Sequence, residues 1–467
     1  MKSKQQQTGF DLFTPFYEIF HELCVLTADF VWFVAKWGFR KIRRMPPEVK
    51  IIKKDALRVR KTTTNEETLG IDTDSKKAML LGDIDFRRHS FIVGGSGFGK
   101  TNLMTILQEH SLKRDRPVIF IDPKGDAETL NTFKSLCRMY NRPCYIFSEY
   151  HPDSIALNPL QEGTINQISS RIMNCFSWSN EFYQSQCENS LIAVCKKIKA
   201  QSESITIKGL VAELKLIENE HNSGIISNLN RIQESDFARI LNSGADGLTL
   251  SKIRDERACL YIGLSVQGYG DTARTIGKLF LGELLHNSYM TMRTSAEGEG
   301  LKNPITVHFD ELGSLLVPDF IDLLNKCRSA GIELTMAVQS PADLEKVDPT
   351  LPTQIIENSG NLFILKQRVD ASAALFSNAI GTILTTKNTH VVEDGEKQSR
   401  GSVREVYELL AHPDIIKNLG IGQCILLQQA PTRLNLVNVR DRKMSLIMKH
   451  NQQQSEKSVL GRSFWNS

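Results

Sequence analysis

The chain has 467 residues, of which 41% are hydrophobic and 24% are charged, and its formal net charge at pH 7 is +4. The length allows two or three domains, and the composition is that of a folded protein and excludes a largely disordered chain. The net charge is too small to indicate a nucleic-acid partner by itself. The nine cysteines include no C-x-x-C pair, which argues against a zinc module or disulfide framework and for reduced thiols in the cytosol.

The amino-terminal segment, residues 16–39, is rich in Phe, Val, Leu and Trp and is followed by the basic cluster Arg40–Arg44. Glu22, Asp29 and Lys36 recur every seven residues and would form one polar stripe on a helix. A carboxylate at mid-membrane costs about 3 kcal/mol, so hydropathy alone makes insertion marginal. A membrane helix facing partner helices, an amphipathic helix on the inner leaflet and a soluble docking helix are the three interpretations. Membrane association is favoured, because the tryptophans and following arginines are typical of a cytoplasmic interfacial anchor.

A glycine-rich stretch, FIVGGSGFGKT, follows at residues 91–101. It matches G-x-x-x-x-G-K-[ST] in the strand–loop–helix setting that the pattern requires. Glycines let successive N–H groups turn toward a phosphate, and the following helix adds partial positive charge. Lys100 is predicted to neutralise the β- and γ-phosphates of ATP, and the Thr101 hydroxyl to bind Mg²⁺. The predicted nucleotide contacts are Gly94, Gly95, Ser96, Gly97, Phe98, Gly99, Lys100 and Thr101.

Seven further runs are predicted to be buried strands: 118–121, 144–147, 259–264, 305–309, 334–338, 362–365 and 424–427. Most are continuous apolar runs, as a parallel sheet covered on both faces requires, and helical patterns separate several of them. From Ile165 to about Ser251 no strand is predicted and apolar residues follow helical spacing. This pattern favours an inserted all-α domain over extra helices packed on the same core.

The predicted fold class is therefore α/β: a RecA-like P-loop NTPase core with a mostly parallel central sheet, an inserted all-α domain and an N-terminal membrane-associated helix. The predicted boundaries are 1–45 for the membrane-associated helix and its basic flank, 46–164 and 252–443 for the two parts of the nucleotide-binding domain, 165–251 for the inserted domain, and 444–467 for a polar, disordered tail.

The predicted strand at 305–309 ends in two acidic residues, Asp310 and Glu311. Asp310 is positioned to hold Mg²⁺, and Glu311 to polarise an attacking water, which together favour hydrolysis over passive binding. Gln339 follows another predicted strand and is placed to sense the γ-phosphate or orient water, with a polar strand cap as the alternative. Arg328 lies between these two strands, where the residues alone favour an exposed helix arginine.

Taken in order, these elements resemble those of type IV coupling proteins, the hexameric, membrane-anchored ATPases of bacterial conjugation and type IV secretion. The similarity covers roughly residues 75 to 440. It rests on Arg88-His89 before the phosphate loop, Ile121-Asp122-Pro123-Lys124-Gly125-Asp126, Leu157-Asn158-Pro159-Leu160, the Asp310-Glu311 strand, Cys327-Arg328-Ser329-Ala330-Gly331-Ile332 and Gln339-Ser340.

This resemblance implies Lys100 and Thr101 on ATP and Mg²⁺, Asp310 and Glu311 as the acidic pair, Gln339 as sensor and Arg328 as an arginine finger reaching the next subunit. It also implies that the block 165–251 is the all-α domain that meets cargo. The expected function is an ATP-hydrolysing coupling protein that recruits relaxase-bound single-stranded DNA or protein substrates to a type IV secretion channel. It is expected to act as a homo-hexamer on the cytoplasmic face of the bacterial inner membrane. A nucleotide-gated receptor or scaffold with little turnover, and a related secretion or DNA-pumping ATPase, are the alternatives.

Overall fold

The computed structural model describes residues 50–53, 67–82, 85, 87–244, 247–294, 304–316, 320–393, 396–429 and 431–442. The predicted amino-terminal helix and polar tail lie outside these residues. Nearly all of the described residues belong to one compact unit, and only residues 431–433 are assigned to another. Within the described ranges, none of the helices combines the length and apolar character needed to cross a membrane.

Thirteen strands are found in the described chain, and eleven of them form one sheet. In chain order the strands are β1 (Gly70–Asp72), β2 (Ala78–Met79), β3 (His89–Val93), β4 (Val118–Asp122), β5 (Cys144–Phe147), β6 (Cys259–Gly263), β7 (Ile305–Phe309), β8 (Ile332–Val338), β9 (Ser359–Ile364), β10 (Thr382–Glu393), β11 (Glu396–Leu409), β12 (Gln423–Gln429) and β13 (Thr432–Val439). The sheet order is β2-β1-β13-β12-β9-β3-β8-β7-β4-β6-β5.

The seven strands from β9 to β5 run parallel, whereas β12 pairs antiparallel with β9, and β1 pairs antiparallel with β13 and β2. Every residue of β3, β4, β6, β7, β8 and β9 is buried, which explains why most of these strands contain a continuous rather than an alternating apolar run. The mostly parallel sheet of the predicted fold class is confirmed.

The helices separate most of these strands and cover the sheet. In chain order they are α1 (Lys100–Lys113), α2 (Ala127–Met139), α3 (Ile165–Met173), α4 (Glu181–Ala200), α5 (Ile207–Lys215), α6 (Ser223–Gln233), α7 (Ala238–Leu241), α8 (Leu250–Asp255), α9 (Val266–Thr294), α10 (Phe320–Lys326), α11 (Ala342–Glu345), α12 (Leu351–Asn358), α13 (Asp370–Ile380) and α14 (Pro413–Lys417). One 3₁₀ turn, Leu312–Ser314, follows β7.

Six helices, α3 to α8, lie between β5 and β6, so the long block that lacks strand patterns is helical as predicted. Polar caps begin several of them: the Thr164 hydroxyl accepts from the Gln167 N–H in a capping box, and Thr206 and Thr249 cap α5 and α8. Between the helices, apolar side chains such as Leu191 and Leu210 are fully buried. The helices therefore have their own packed interior, while the exact domain boundaries stay a prediction.

Two features were not predicted from the residue pattern. Strands β10 and β11 form a separate antiparallel ribbon, in which Leu384 lies opposite Tyr407. Strand β13 continues to Val439, although the apolar periodicity weakens after Leu436. Both depend on cross-strand pairing rather than on a continuous apolar run, so a sequence window gives only a weak signal for them.

Because β3, β4, β7 and β8 are parallel neighbours, the residues that follow each of them meet at one edge of the sheet. The register confirms the alignment, since Val93 pairs with Val338, and Phe309 pairs with both Ile121 and Met336. This edge carries the phosphate loop and the acidic pair, in the crevice where open α/β sheets bind ligands.

Candidate nucleotide-binding site

The loop between β3 and α1 is held in place by its neighbours. The Gly94 N–H donates to the Val338 carbonyl, and the Gly95 N–H donates to the Lys366 carbonyl, each at 3.2 Å. Gly97 and Gly99 have φ angles of 80° and 105°, in the left-handed region that glycine tolerates best. No side chain caps the first N–H groups of α1. A helix N-terminus left open in this way, directly after a glycine-rich turn, can bind an anion.

Positive charge surrounds this loop. Lys100 is 7% exposed, and its Nζ donates to the carbonyls of Gly94 at 2.7 Å and Gly95 at 3.3 Å. Burial lowers the pKa of Lys100, and Asp310 partly opposes that shift. The charged groups of Lys366 and Arg368 lie 5.4 Å and 5.6 Å from the centre of the Phe98 ring. The site thus favours a polyanionic ligand.

The first turn of α1 is clamped to the end of the sheet through Asn102. Its Nδ2 donates to the Arg440 carbonyl at 2.8 Å, and its Oδ1 accepts from the Arg442 N–H at 3.0 Å. Thr101, one residue earlier, has an exposed side chain and lines the same cavity as Asp310. The clamp keeps the predicted magnesium ligand Thr101 at a fixed position relative to the sheet edge.

The acidic pair follows β7 directly. Asp310 is 4% exposed, and its N–H donates to the Ile121 carbonyl of β4 at 3.2 Å. Burial raises the pKa of Asp310, and the nearby ammonium of Lys124 limits the shift. Glu311 has a φ of 50°, which is uncommon for a residue with a side chain, and it begins the 3₁₀ turn. Its Oε1 accepts from the Gln339 Nε2 at 2.9 Å.

Lys124 is a site residue to which the residue pattern assigned no role. Its Nζ lies 3.6 Å from Asp310 Oδ2 and 3.2 Å from Glu311 Oε1. Burial opposes the charge on Lys124, but the two carboxylates outweigh it and hold the pKa of Lys124 above its usual value. The sequence feature that could have indicated this role is the position of Lys124 two residues after β4, at the same sheet edge as the phosphate loop.

The segment that carries Lys124 is itself anchored by a buried carboxylate. Asp122 is fully buried, accepts from the Tyr261 hydroxyl at 2.6 Å and accepts from the Lys124 N–H at 3.0 Å. Burial raises the pKa of Asp122 to about 6, although the Tyr261 hydrogen bond opposes the shift. Gly125 has a φ of 62°, and a Cβ there would lie 2.7 Å from the Ser265 Oγ. Few other residues fit this turn, which directs Lys124 toward the acidic pair.

Two cavities open at this edge. One, of about 580 Å³, runs from the phosphate loop along α1, and its volume falls within the range of small-ligand sites. The other, of about 340 Å³, lies on the far side of Glu311 and Gln339. Residues lining the first include Gly99, Thr101, Gln108, Phe120, Asp310, Ile421 and Gly422, and residues lining the second include Arg274, Glu311, Gln339, Asp343 and Lys346.

Arg328 is not brought to this edge. It is exposed in the turn before β8, and its carbonyl accepts from the Gly331 N–H. Its charge acts on His89 at the start of β3, where burial and then Arg328 lower the pKa of the histidine to about 4. Gln339 lies at the other end of β8, and seven residues of strand span about 23 Å. Within one chain, Arg328 and the phosphate loop are therefore at opposite ends of the sheet.

Two protein-family models match parts of this chain. Residues 304–420 match the family model described as the TraM recognition site of TraD and TraG, and residues 69–256 match that of the central domain of helicase HerA. These matches cover 117 and 188 residues of the chain, respectively.

The fold is similar to that of solved structures. The unbound conjugative coupling protein TrwB is 14% identical with a TM-score of 0.61, over 84% of this chain and 94% of that chain. TrwB in complex with ADP and Mg²⁺ is 16% identical with a TM-score of 0.59, over 85% of this chain and 96% of that chain. VirB4 of Thermoanaerobacter pseudethanolicus is 15% identical with a TM-score of 0.57, over 81% and 97%. At these identities the matches show the fold.

Among curated proteins, an uncharacterized protein of Mycoplasma pneumoniae is 36% identical over 47 residues, which is 10% of this chain. The match spans 39% of that relative's length, so it indicates nothing about a whole-protein activity. The family models and the shared fold together confirm the resemblance to type IV coupling proteins.

Proposed function

We propose that this chain, which resembles type IV coupling proteins through its core, hydrolyses ATP to drive relaxase-bound single-stranded DNA or protein substrates into a type IV secretion channel. The observation that carries the proposal is the acidic pair beside the phosphate loop, with Asp310 buried and Glu311 held by Lys124 and Gln339. A protein that only bound nucleotide would have no need for a second, solvent-reachable carboxylate there.

The residues at the site fit ATP and Mg²⁺. The exposed Thr101 hydroxyl and the Asp310 carboxylate are hard oxygen donors, the kind that Mg²⁺ prefers. Bound Mg²⁺ would neutralise phosphate charge and orient the phosphate oxygens of the nucleotide in the site. A solved structure of TrwB, a protein of similar fold, contains ADP and Mg²⁺, which supports a nucleotide with Mg²⁺ as the ligand of this chain.

Glu311 is the general base in this proposal. Its side chain is 27% exposed, so a water molecule can reach it while Lys124 and Gln339 fix its orientation. The water oxygen would attack the γ-phosphorus, its proton would pass to Glu311, and the bond to the β–γ bridging oxygen would break to release ADP and phosphate. Lys100 would offset the negative charge that develops on that leaving oxygen.

Arg328 would act on another copy of the chain. Its position at the opposite end of β8 from Gln339 prevents it from serving its own site, whereas an exposed arginine at a subunit interface can complete a neighbouring one. A closed ring supplies such an interface to every subunit, which supports the proposed homo-hexamer. The inserted helices would meet cargo, and residues 1–45 would attach the ring to the cytoplasmic face of the inner membrane.

One observation favours a second candidate, a nucleotide-gated receptor that selects cargo with little turnover. Lys124 and Gln339 both engage Oε1 of Glu311, which occupies one of its two carboxylate oxygens in this conformation. In the first candidate, nucleotide or cargo must release this contact. In the second, the contact persists and keeps hydrolysis slow.

The experiment that separates the two candidates measures ATP turnover by the full-length chain in mild detergent, with and without single-stranded DNA. The wild type is compared with Lys100→Ala, Glu311→Gln and the matched control Glu345→Gln, which replaces an exposed carboxylate on α11. We expect Glu311→Gln to lose about a hundredfold in turnover while nucleotide still binds, and Glu345→Gln to match the wild type. Wild-type turnover equal to that of Lys100→Ala, with nucleotide binding intact in the assembled ring, would favour the receptor.

A further inference from the structure

A cavity of about 370 Å³ lies between α3, α9 and α10, away from the nucleotide site. Its lining shares no residue with the two cavities at the phosphate-loop edge. The α9 residues that line it run from Lys278 to Met292, and they begin eight residues after the kink at Gly270, which is about 12 Å along the helix. The cavity therefore lies where the inserted helix α3 meets the core helices α9 and α10.

Three basic residues, one on each of the three helices, line this cavity. Arg171, Lys278 and Lys326 line it, and the only acidic lining residue, Asp322, is paired with the Lys326 Nζ at 3.0 Å. Arg171 is 5% exposed and donates to the Pro159 carbonyl and, at 3.1 Å, to the Glu162 carbonyl. Its charge is therefore held at the cavity by neutral carbonyl oxygens.

Two carboxylates, those of Glu283 and Glu162, act on the charge of Arg171. Glu283 is 5% exposed, and burial raises the pKa of its carboxyl to about 7, with the charge of Arg171 opposing the shift. Burial therefore disfavours the charged form of Glu283.

Two buried polar residues of α9 also line the cavity. Ser288 is fully buried and His286 is 8% exposed, and neither the Ser288 Oγ nor the His286 Nδ1 has a hydrogen-bond partner in the described chain. Burial lowers the pKa of His286 to about 4, so its ring is neutral at pH 7 and adds no charge to the lining.

Apolar side chains form another part of the lining. Leu281 and Leu323 are buried, Phe320 is 1% exposed, and Tyr289 is 44% exposed. Gly282 allows α9 to approach α3 closely, because a Cβ at this position would lie 2.5 Å from the Arg171 Cγ. A ligand that carries both an oxyanion and an apolar or aromatic body would match this mixed lining.

We propose that the cavity between α3, α9 and α10 is a binding site for a small amphipathic organic anion, whose oxyanion lies against Arg171 and Lys278 and whose apolar body lies against Phe320 and Leu323. The inference stands independently of the proposed ATPase activity. Carboxylates and phosphate monoesters share the required chemistry, and direct binding distinguishes between them.

The test is isothermal titration calorimetry on the full-length chain with 4-phenylbutyrate, phenyl phosphate and the neutral 4-phenylbutanamide. At least one of the two anions is expected to bind at least about tenfold more tightly than the amide, because only an anion can form ion pairs with Arg171 and Lys278. Equal affinity for the amide and both anions, or no binding of either anion up to about 5 mM, would overturn the proposal.

Variants locate the site. Lys278→Gln is expected to weaken anion binding about tenfold, and Ser170→Trp, placed at the exposed rim, to abolish it by filling the cavity. The matched control Lys196→Gln removes an exposed lysine of α4 that does not line the cavity, and it should bind as the wild type does. Lys100→Ala should also bind normally, which separates this site from the nucleotide site. Anion binding that survives both Lys278→Gln and Ser170→Trp would refute the assignment.

Discussion

Replacing Lys124 by methionine tests whether this lysine orients the acidic pair. The substitution keeps most of the side-chain volume but removes the ammonium that lies 3.2 Å from Glu311 Oε1 and 3.6 Å from Asp310 Oδ2. Without it, the pKa of Asp310 should rise further, because Lys124 is the strongest opposing influence on that buried carboxyl. Glu311 would retain only Gln339 as a partner among the contacts described here.

The structure sets the expected size of the effect. Two unit charges 3.2 Å apart interact by about 5 kcal/mol at an effective dielectric constant of 20. The Lys124 side chain is 48% exposed, so solvent screening reduces its net contribution to the free energy of unfolding to about 1 kcal/mol. Turnover should suffer more, by about ten- to a hundredfold, because a misoriented base and a lost cation both act on the transition state.

The assay is steady-state ATP hydrolysis by Lys124→Met and Lys124→Arg, together with chemical denaturation of each variant. Lys208→Met is the matched control, since Lys208 is an exposed lysine of α5. We expect kcat to fall for Lys124→Met with KM within about threefold of the wild type, and Lys124→Arg to retain part of the activity. A kcat for Lys124→Met within twofold of both the wild type and Lys208→Met would refute the role given to Lys124.

Three further changes have defined outcomes. Gly99→Ala forces a side chain into a φ of 105° and should weaken nucleotide binding at least about tenfold in a fluorescence titration; unchanged affinity would contradict the loop geometry. Asp122→Asn can keep the Tyr261 hydrogen bond, and because the folded pKa of Asp122 is raised to about 6, wild-type stability falls as pH rises through 6. The free energy of unfolding of Asp122→Asn, measured with urea relative to that of the wild type, should therefore rise by about 1 kcal/mol from pH 5 to pH 8. A difference that does not change with pH would be inconsistent with burial of the charge. Glu109→Ala leaves the fully buried Arg440 without its carboxylate and should destabilise the fold by about 3 kcal/mol, so a loss below about 1 kcal/mol would show that the pair is dispensable.

The central strands were predictable because burial on both faces leaves a continuous apolar run in each segment. Val118–Asp122 and Ile305–Phe309 are examples in which a local window already contains the whole signal. The β10–β11 ribbon has no such run, because the middle of β10 is a polar stretch of threonine, lysine and asparagine, and its strands pair residues such as Leu384 with Tyr407. Pairing between strands is not visible in either strand alone.

The site follows the same division. Lys100 and Thr101 are set by a short pattern, and Asp310, Glu311 and Gln339 follow from being the first residues after buried strands. The contact of Lys124 with Glu311 joins residues 187 positions apart, and it exists only because β4 and β7 are neighbours in the sheet. The order of strands in the sheet cannot be read directly from the sequence, so no role was predicted for Lys124.

The position of Arg328 also depended on the fold. Its sequence places it between the acidic strand and the Gln339 strand, which would be compatible with a role in its own site. The structure puts it in the turn before β8, at the end of the sheet away from the phosphate loop. A role in hydrolysis therefore requires a second copy of the chain, and this requirement makes the proposed shared site testable.

The most direct test mixes two inactive variants, Glu311→Gln and Arg328→Ala, in equal amounts under conditions that allow subunits to exchange, and measures ATP turnover. If Glu311 of one subunit works with Arg328 of the next, random mixing restores an intact pair at about a quarter of the interfaces, and up to about a quarter of the wild-type rate should return. No recovery above the separate variants, in rings shown to be mixed, would contradict hydrolysis shared between subunits.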